Sequence, residues 1–443
     1  MKSTDSFHFQ TEKYLSVLDQ LDLIRVIGKV VQVVGLVIEA QVQGVSIGDL
    51  CLIRMDKGTR QVYAEAVGFK EGRVLLMPLG TTTRISPGSE VLAAGKPLTI
   101  SCGSFLLGRV LGGLGEPIDD RGLHLEKGEE RPLDRDPPDP VKRPRVTETL
   151  RVGVKAIDGL LTIGRGQRIG IFAGSGVGKS TLMGMIARNA EADVNVIALV
   201  GERGREVRDF IEESLGGEGL KKSVVIVATS DQPPLIRLKA AFVATAIAEY
   251  FRDLGKKVIF MMDSVTRFAM AQREIGLATG EPPTTKGYTP SVFALLPRLM
   301  ERSGTSELGS ITAFYTVLVE GDDFNEPIAD QVRSILDGHI ILSRDLAARN
   351  HYPCIDVPNS VSRLMSAIAP AEQKEAASQL REVLAHYREA EDLINIGAYV
   401  KGSNSKIDYA ISKIDQVNDF LKQGIMDDVD YDEAMTQLTA IFR

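Results

Sequence analysis

The run Ala173-Gly174-Ser175-Gly176-Val177-Gly178-Lys179-Ser180-Thr181 sets three glycines ahead of a lysine and two hydroxyls. Those residue types in that order suit the holding of a polyphosphate. Lacking a Cβ, Gly174, Gly176 and Gly178 can take positive φ and turn successive N–H groups onto an anion. Lys179 would then reach the β and γ phosphates, and the Ser180 hydroxyl would complete the shell of a Mg2+ ion. The usual pattern, G-x-x-x-x-G-K-[ST], opens on glycine, where this chain has Ala173. The other positions favour nucleoside triphosphate binding over an accidental glycine turn.

Two further stretches carry chemistry. Val258-Ile259-Phe260-Met261-Met262-Asp263 reads as a buried strand ending in a carboxylate. In a parallel sheet ligands bind beyond the carboxyl ends of the strands, so Asp263 would reach the Mg2+ shell through water. The plainer alternative is a cap on the following helix. Val200-Gly201-Glu202-Arg203-Gly204-Arg205-Glu206 also follows an apolar run. Glu202 could polarise an attacking water, which would make the protein a hydrolase. Equally, Glu202 and Arg203 could pair with each other on a solvated turn.

Such residues need a strand, a loop and a helix to position them. Arg168 to Phe172 reads as the strand before the glycine loop, and Leu182 to Arg188 as opening turns of a helix. Between about 152 and 343, apolar runs at Val194 to Val200, Ser223 to Thr229, Val258 to Met262, Ser310 to Val319 and Ile340 to Leu342 alternate with helical patterns. Glu206 to Leu215 and Leu235 to Leu254 are two such helices. This alternation predicts an α/β domain with a mainly parallel sheet covered on both faces.

Upstream, residues 23–95 hold short β-rich runs, among them Val30 to Ala40, separated by Gly44, Gly48, Gly58, Gly72 and Gly88. That spacing predicts a small antiparallel barrel, and its few aromatics fit a structural role better than base stacking. Residues 129–146 contain five prolines, which predicts a stiff surface connection with neither helix nor central strand. From about 369 three apolar stripes predict a helical domain: Leu380, Val383, Leu384 and Tyr387; Ile407, Ile411, Ile414 and Leu421; Tyr431, Met435, Leu438 and Phe442. Tyr14, Leu15, Leu18 and Leu21 recur at helical spacing near the start; that segment reads as a frayed terminus or a docking helix for a partner. The expected divisions are 1–22, 23–95, 96–368 and 369–443.

At 443 residues the chain predicts two to four domains. Hydrophobic residues make up 44% and charged residues 25%, an ordinary soluble composition, and no run approaches the ~18 apolar residues of a membrane span. The first twenty residues lack the apolar core of a secretory signal. Cys51, Cys102 and Cys354 are odd in number and without metal-ligand spacing, which fits reduced structural thiols in the cytosol. A net charge of −7 without a long basic cluster argues against nucleic acid as the main partner.

Taken in order, Gly174 to Ser180, Gly201-Glu202-Arg203, Asp231-Gln232-Pro233-Pro234-Leu235-Ile236-Arg237, Met262-Asp263-Ser264-Val265-Thr266-Arg267-Phe268, Tyr352-Pro353-Cys354-Ile355-Asp356 and Ser360-Val361-Ser362-Arg363 resemble the rotary ATP synthase α/β family. Within it the chain is most similar to the export ATPases of flagellar and injectisome type III secretion systems, over roughly 420 collinear residues. The resemblance implies a RecA-like P-loop NTPase core, a small β-barrel before it and a C-terminal helical domain after it. It also implies ATP and Mg2+ as ligands, a cytoplasmic ATP hydrolase peripheral to an inner-membrane export gate, and a ring, most simply a homohexamer.

By the same resemblance Glu202 matches the residue that orients the hydrolytic water, where noncatalytic α-type subunits carry glutamine. Arg203 and Arg267 match arginines near the γ-phosphate, Tyr352 the aromatic on adenine, and Arg363 an arginine contributed across a subunit boundary. Read without the family, Arg363 would be a surface ion pair and Tyr352 a core aromatic. The implied partners are a stator-like regulator dimer on the N-terminal segment, a coiled-coil stalk near the C-terminal helices and chaperone–substrate complexes, with no nucleic acid. A flagellar system is the favoured setting. The alternatives are a catalytic subunit of a rotary ATP synthase and, further off, a hexameric nucleic-acid translocase.

Overall fold

The computed structural model describes residues 27–55, 60–80, 84–122, 128–319, 321 and 323–443. The amphipathic segment around Tyr14 to Leu21 lies outside the described residues. The chain divides into one unit ending at Leu98 and a second spanning Thr99–Arg443.

In the first unit, β1 (Ile27–Val34), β2 (Val37–Gln41), β3 (Asp49–Met55), β4 (Arg60–Lys70), β5 (Arg73–Pro78) and β6 (Glu90–Pro97) close into a barrel in the order β1-β2-β5-β4-β3-β6. Closure removes the exposed sheet edges, and Val30, Ile38, Cys51, Ile53, Ala64 and Leu76 fill the interior. The run Val30 to Ala40 is two strands and not one. Gly35, at φ 58°, turns the chain, and Val34 pairs with Val37 across the hairpin. Both arms line the same core, so the apolar pattern continues through the turn and hides it. The sequence reading also lacked β6, which pairs with β1 and β3 to close the barrel. Within it only Val91 and Leu92 are buried.

The second unit is built on β7 (Val110–Gly112), β8 (Arg168–Ala173), β9 (Val194–Val200), β10 (Ser223–Ala228), β11 (Lys257–Asp263), β12 (Ser310–Leu318), β13 (Gly338–Leu342) and β14 (Val361–Ser362). Their order is β14-β13-β8-β12-β11-β9-β10-β7. All these pairings are parallel except β13 with β14. Every residue of β9 and β10 is buried, as strands covered on both faces must be. The covering helices include α1 (Lys179–Asn189), α2 (Pro234–Asp253) and α3 (Val265–Thr279). Pro234 opens α2 at a position where a missing N–H costs nothing. The predicted helix from Glu206 starts at Gly204 and widens to a π-helical turn at Phe210–Leu215, with Val207, Phe210 and Leu215 buried.

The proline-rich segment is more than a connection. Glu129–Pro132 pairs with Thr99–Cys102 in a two-stranded ladder outside the main sheet. Arg143 donates to the carbonyls of Ser303, at 2.9 Å, and Glu301. Arg302, fully buried, donates to Leu133 O at 2.6 Å and pairs with buried Glu249 at 2.7 Å.

Helices α4 (Ala371–Asn395), α5 (Ser405–Leu421) and α6 (Tyr431–Ala440) pack on one another and on the short helix Lys155–Leu160. They share one continuous apolar core with the sheet, which is why they fall within its unit. The α5 stripe is rotated from the expected one: Ala410, Ile414, Val417 and Leu421 are buried, whereas Ile411 faces outward. Ala410 is small enough to be passed over in a pattern of large residues, yet it permits the close approach of α4. Gln373 fastens the layer, with Nε2 at 2.7 Å from Asp158 O and 2.8 Å from Thr162 Oγ1, and accepts from Tyr431 Oη at 2.8 Å. Among the described residues no helix is long and apolar enough to cross a membrane. All three cysteines are free and buried.

Candidate active site

The glycine loop leaves the carboxyl end of β8 and enters α1 at Lys179. Gly176 and Gly178 take positive φ, at 81° and 86°, as an inward-turned loop requires. Gly174 does not, contrary to the sequence reading. Its bare α-carbon serves a close contact instead: a Cβ there would lie 2.5 Å from Nε of Arg344. Arg344 follows β13, which pairs with β8 so that Leu342 faces Ala173. Nothing in the sequence pattern brings Arg344 to the loop, because that contact comes from strand order.

Lys179 is drawn into the crevice. Its Nζ pairs with Asp263 and, at 3.3 Å, with Glu202. Asp263 ends β11 and is 2% exposed; its Oδ1 also accepts from Thr316 Oγ1 at 2.7 Å. Burial pushes the Asp263 carboxyl up against the pull of Lys179. Burial likewise raises Glu202, opposed by Lys179. For Lys179, burial acts to lower the ammonium, but Asp263 and Glu202 outweigh it and the pKa rises. Asp263 does not cap α3: Ser264 does, its side chain accepting from Arg267 N at 3.3 Å. Glu202 and Arg203 do not pair with each other. Glu202 turns inward to Lys179, while Arg203, with its side chain 81% exposed, turns out to Glu206 at 3.3 Å. The stem of Arg267 packs over Gly201, beside Glu202.

Ser180 and Thr181 open α1 with their hydroxyls, and the Ser180 hydroxyl forms no hydrogen bond to another described residue. A hydroxyl free for coordination one residue from Lys179, with a buried carboxylate ending the next strand but one, is a donor set that fits Mg2+.

Along the loop lies an apolar slot of about 140 Å3, lined by Val177, Thr181, Tyr352, Cys354, Gln423 and Ile425. Tyr352 is 42% exposed, so it is a wall of the slot and not a core residue. Gln423 and Ile425, which follow α5, form a wall that the sequence reading did not find. Gln423 N donates to Tyr352 O at 2.9 Å; its side chain accepts from Lys155 N at 2.9 Å and donates to Gly153 O at 2.8 Å.

Arg363 is not brought to this crevice. It follows β14, where Ser362 pairs with Gly338 at the amino end of β13, and its N–H donates to Asp337 O at 3.1 Å. The phosphate loop leaves the opposite end of the sheet, about 15 Å of strand away. Arg363 Nη2 donates to Arg333 O at 3.4 Å, and the guanidinium makes no ion pair with a described residue.

A phosphate-wrapping loop at the carboxyl edge of a parallel sheet defines a nucleoside triphosphatase of the P-loop class. Residues 153–362 match the ATP synthase alpha/beta family, nucleotide-binding domain. Residues 30–95 match the beta-barrel domain of that family, and residues 369–440 match the T3SS EscN ATPase C-terminal domain. The chain is 57% identical to the flagellum-specific ATP synthase of Bacillus subtilis (strain 168), covering 98% of this chain and 99% of that protein. It is 53% identical to the type 3 secretion system ATPase of Xanthomonas euvesicatoria, over 94% of this chain and 93% of that one. The solved structure of the assembled ATPase EscN from the enteropathogenic E. coli type III secretion system matches with a TM-score of 0.89 at 45% identity, covering 94% of this chain and 100% of EscN. EscN in complex with its central stalk EscO matches at 0.87 and 44% identity, with the same coverage. The chain therefore belongs to the flagellar and type III secretion ATPases of the ATP synthase alpha/beta family.

Proposed function

We propose that the protein is a Mg2+-dependent ATP hydrolase that works as a ring and energises protein export by a flagellar type III apparatus. The observation that carries the chemistry is Lys179 held between Asp263 and Glu202 in a buried crevice. The triphosphate replaces the two carboxylates as the partner of Lys179. Asp263 and the Ser180 hydroxyl are then free to hold Mg2+, which neutralises charge on the phosphate oxygens. Glu202 is left to orient and deprotonate water. Loop N–H groups from Gly174 to Thr181 cradle the phosphates, and adenine lies in the slot between Tyr352 and Ile425. Arg267 reaches the γ-phosphate side from the first turn of α3, and Arg203 joins it by swinging in from the surface.

Arg363 serves a neighbouring copy, because its place beyond the amino end of β13 keeps it from its own loop. The assembled state of EscN supports a ring here, and the EscO complex supports a stalk partner, which we place near the C-terminal helices on the family resemblance alone. The flagellar setting rests on likeness to the Bacillus protein. A regulator dimer on the first 22 residues, chaperone–substrate complexes and a membrane export gate complete the reading, with the ring on the cytoplasmic side.

The test is a pair of substitutions. Glu202→Gln is expected to bind ATP yet hydrolyse it about 10²- to 10⁴-fold more slowly, and Lys179→Ala to lose nucleotide binding. Hydrolysis at the parent rate by either variant would remove the mechanism.

A further inference from the structure

A second cleft, of about 210 Å3, shares Arg267 with the hydrolytic reading, but its other basic residues, Arg273 and Lys286, have no part in that reading. One wall is the face of α3 that carries Arg267, Met270 and Arg273 at three-residue spacing; the other includes Lys286 and Asp323. Of its acidic groups, Asp323 is paired with Lys286 at 3.2 Å. Glu326 is committed to capping a helix, accepting from Ile328 N and Ala329 N at 2.8 and 3.0 Å. Neither arginine has a carboxylate among the described residues. Arg267 Nε is buried without a hydrogen-bond partner, and Arg273 rests over the Tyr288 ring, 5.2 Å from its centroid. Both arginines line the cleft without a carboxylate partner among the described residues, and a bound anion would supply the charge-assisted hydrogen bonds they lack.

We propose that this cleft is a subsite for inorganic phosphate, entered past Arg267, with Arg273 as its outer ligand. The inference rests on the hydrolytic reading, since phosphate released at Glu202 is the anion at hand. A guanidinium fork matches a tetrahedral oxyanion, and the stem of Arg267 against Gly201 ties the inner end of the cleft to the turn after β9 that carries Glu202. Phosphate in this cleft leaves the glycine loop open, so a second ATP can bind while the first product is still departing.

Initial rates of ATP hydrolysis over a grid of ATP and inorganic phosphate concentrations test this, with Arg273→Ala and Arg273→Lys beside the parent. Inhibition of the parent by phosphate is expected to be noncompetitive with ATP. Arg273→Ala should raise the inhibition constant about tenfold while moving KM for ATP far less, and Arg273→Lys should recover part of the loss. Purely competitive inhibition, or an inhibition constant unmoved in Arg273→Ala, would overturn the subsite. A partner carboxylate from elsewhere in the chain or from a second copy would instead give Arg273→Ala a lower Tm or impaired assembly with phosphate inhibition intact, and would also overturn it. Calorimetric titration of inorganic phosphate into nucleotide-free parent and Arg273→Ala separates the two readings. Phosphate binding lost in Arg273→Ala supports the subsite even if hydrolysis fails, and equal binding contradicts it.

Discussion

Lys179 decides the charge balance of the crevice. Burial disfavours the charged ammonium, but Asp263 and Glu202 outweigh it and favour the charged form. Glu202 is raised above the ordinary value of 4.5 because burial favours its neutral form more than Lys179 favours its charged one. A base must be ionised to accept a proton, so kcat/KM should fall with decreasing pH through a midpoint above 4.5, earlier than a surface glutamate would dictate. A midpoint at or below 4.5 would mean that the crevice is wet or that another group is the base. Lys179 can be picked out of the sequence by the glycine loop before it, and Glu202 and Asp263 because each stands at or just past the end of an apolar run, where a parallel sheet delivers its ligands. Thr316 and Arg344 cannot, since their approach depends on which strands lie side by side. Gly174 shows a subtler limit: its residue type was expected from the motif, but its reason is the guanidinium of Arg344 and not its φ.

At the scale of elements, the segment after α5 joins the helical layer to the base slot. Gln423 is 7% exposed and satisfies two main-chain groups of the loop before Lys155–Leu160, while its own N–H holds Tyr352. Gln423→Ala leaves Lys155 N and Gly153 O without these partners in a buried place, a loss of about 1–3 kcal/mol. The variant should show a lower Tm and a raised KM for ATP with kcat less affected; an unchanged Tm and KM would mean that the slot is held by other contacts. The parallel sheet was readable because β9, β10 and β11 are apolar runs broken only by Asn195 and by polar residues at their ends. Periodicity also announced the C-terminal helices and found Ile414 and Leu421 on the buried face of α5, but it weighted Ile411 over Ala410 and so rotated the stripe slightly. Gln423 and Ile425 lie past the end of a helix, where periodicity says nothing. Likewise β6 and the turn at Gly35 depend on barrel closure, a long-range event without a local signal.

At the scale of the whole molecule, the proposed ring implies that each catalytic site is completed by a second copy. The sheet order sets Arg363 and the phosphate loop at opposite ends of adjacent strands, so one chain cannot use both for the same nucleotide. An arginine supplied in trans is worth ~10³ to 10⁵ in rate. Arg363→Ala should therefore be nearly inactive although its own crevice is whole, and Lys179→Ala inactive although its Arg363 is intact. The direct measurement mixes the two inactive variants in equal amounts, lets rings assemble, and assays ATP hydrolysis. Boundaries that pair a sound loop with a sound Arg363 form at about one in four by random closure, so activity should return to roughly a quarter of the parent at most. Mixed rings that stay inactive, or Arg363→Ala hydrolysing at the parent rate by itself, would contradict the claim.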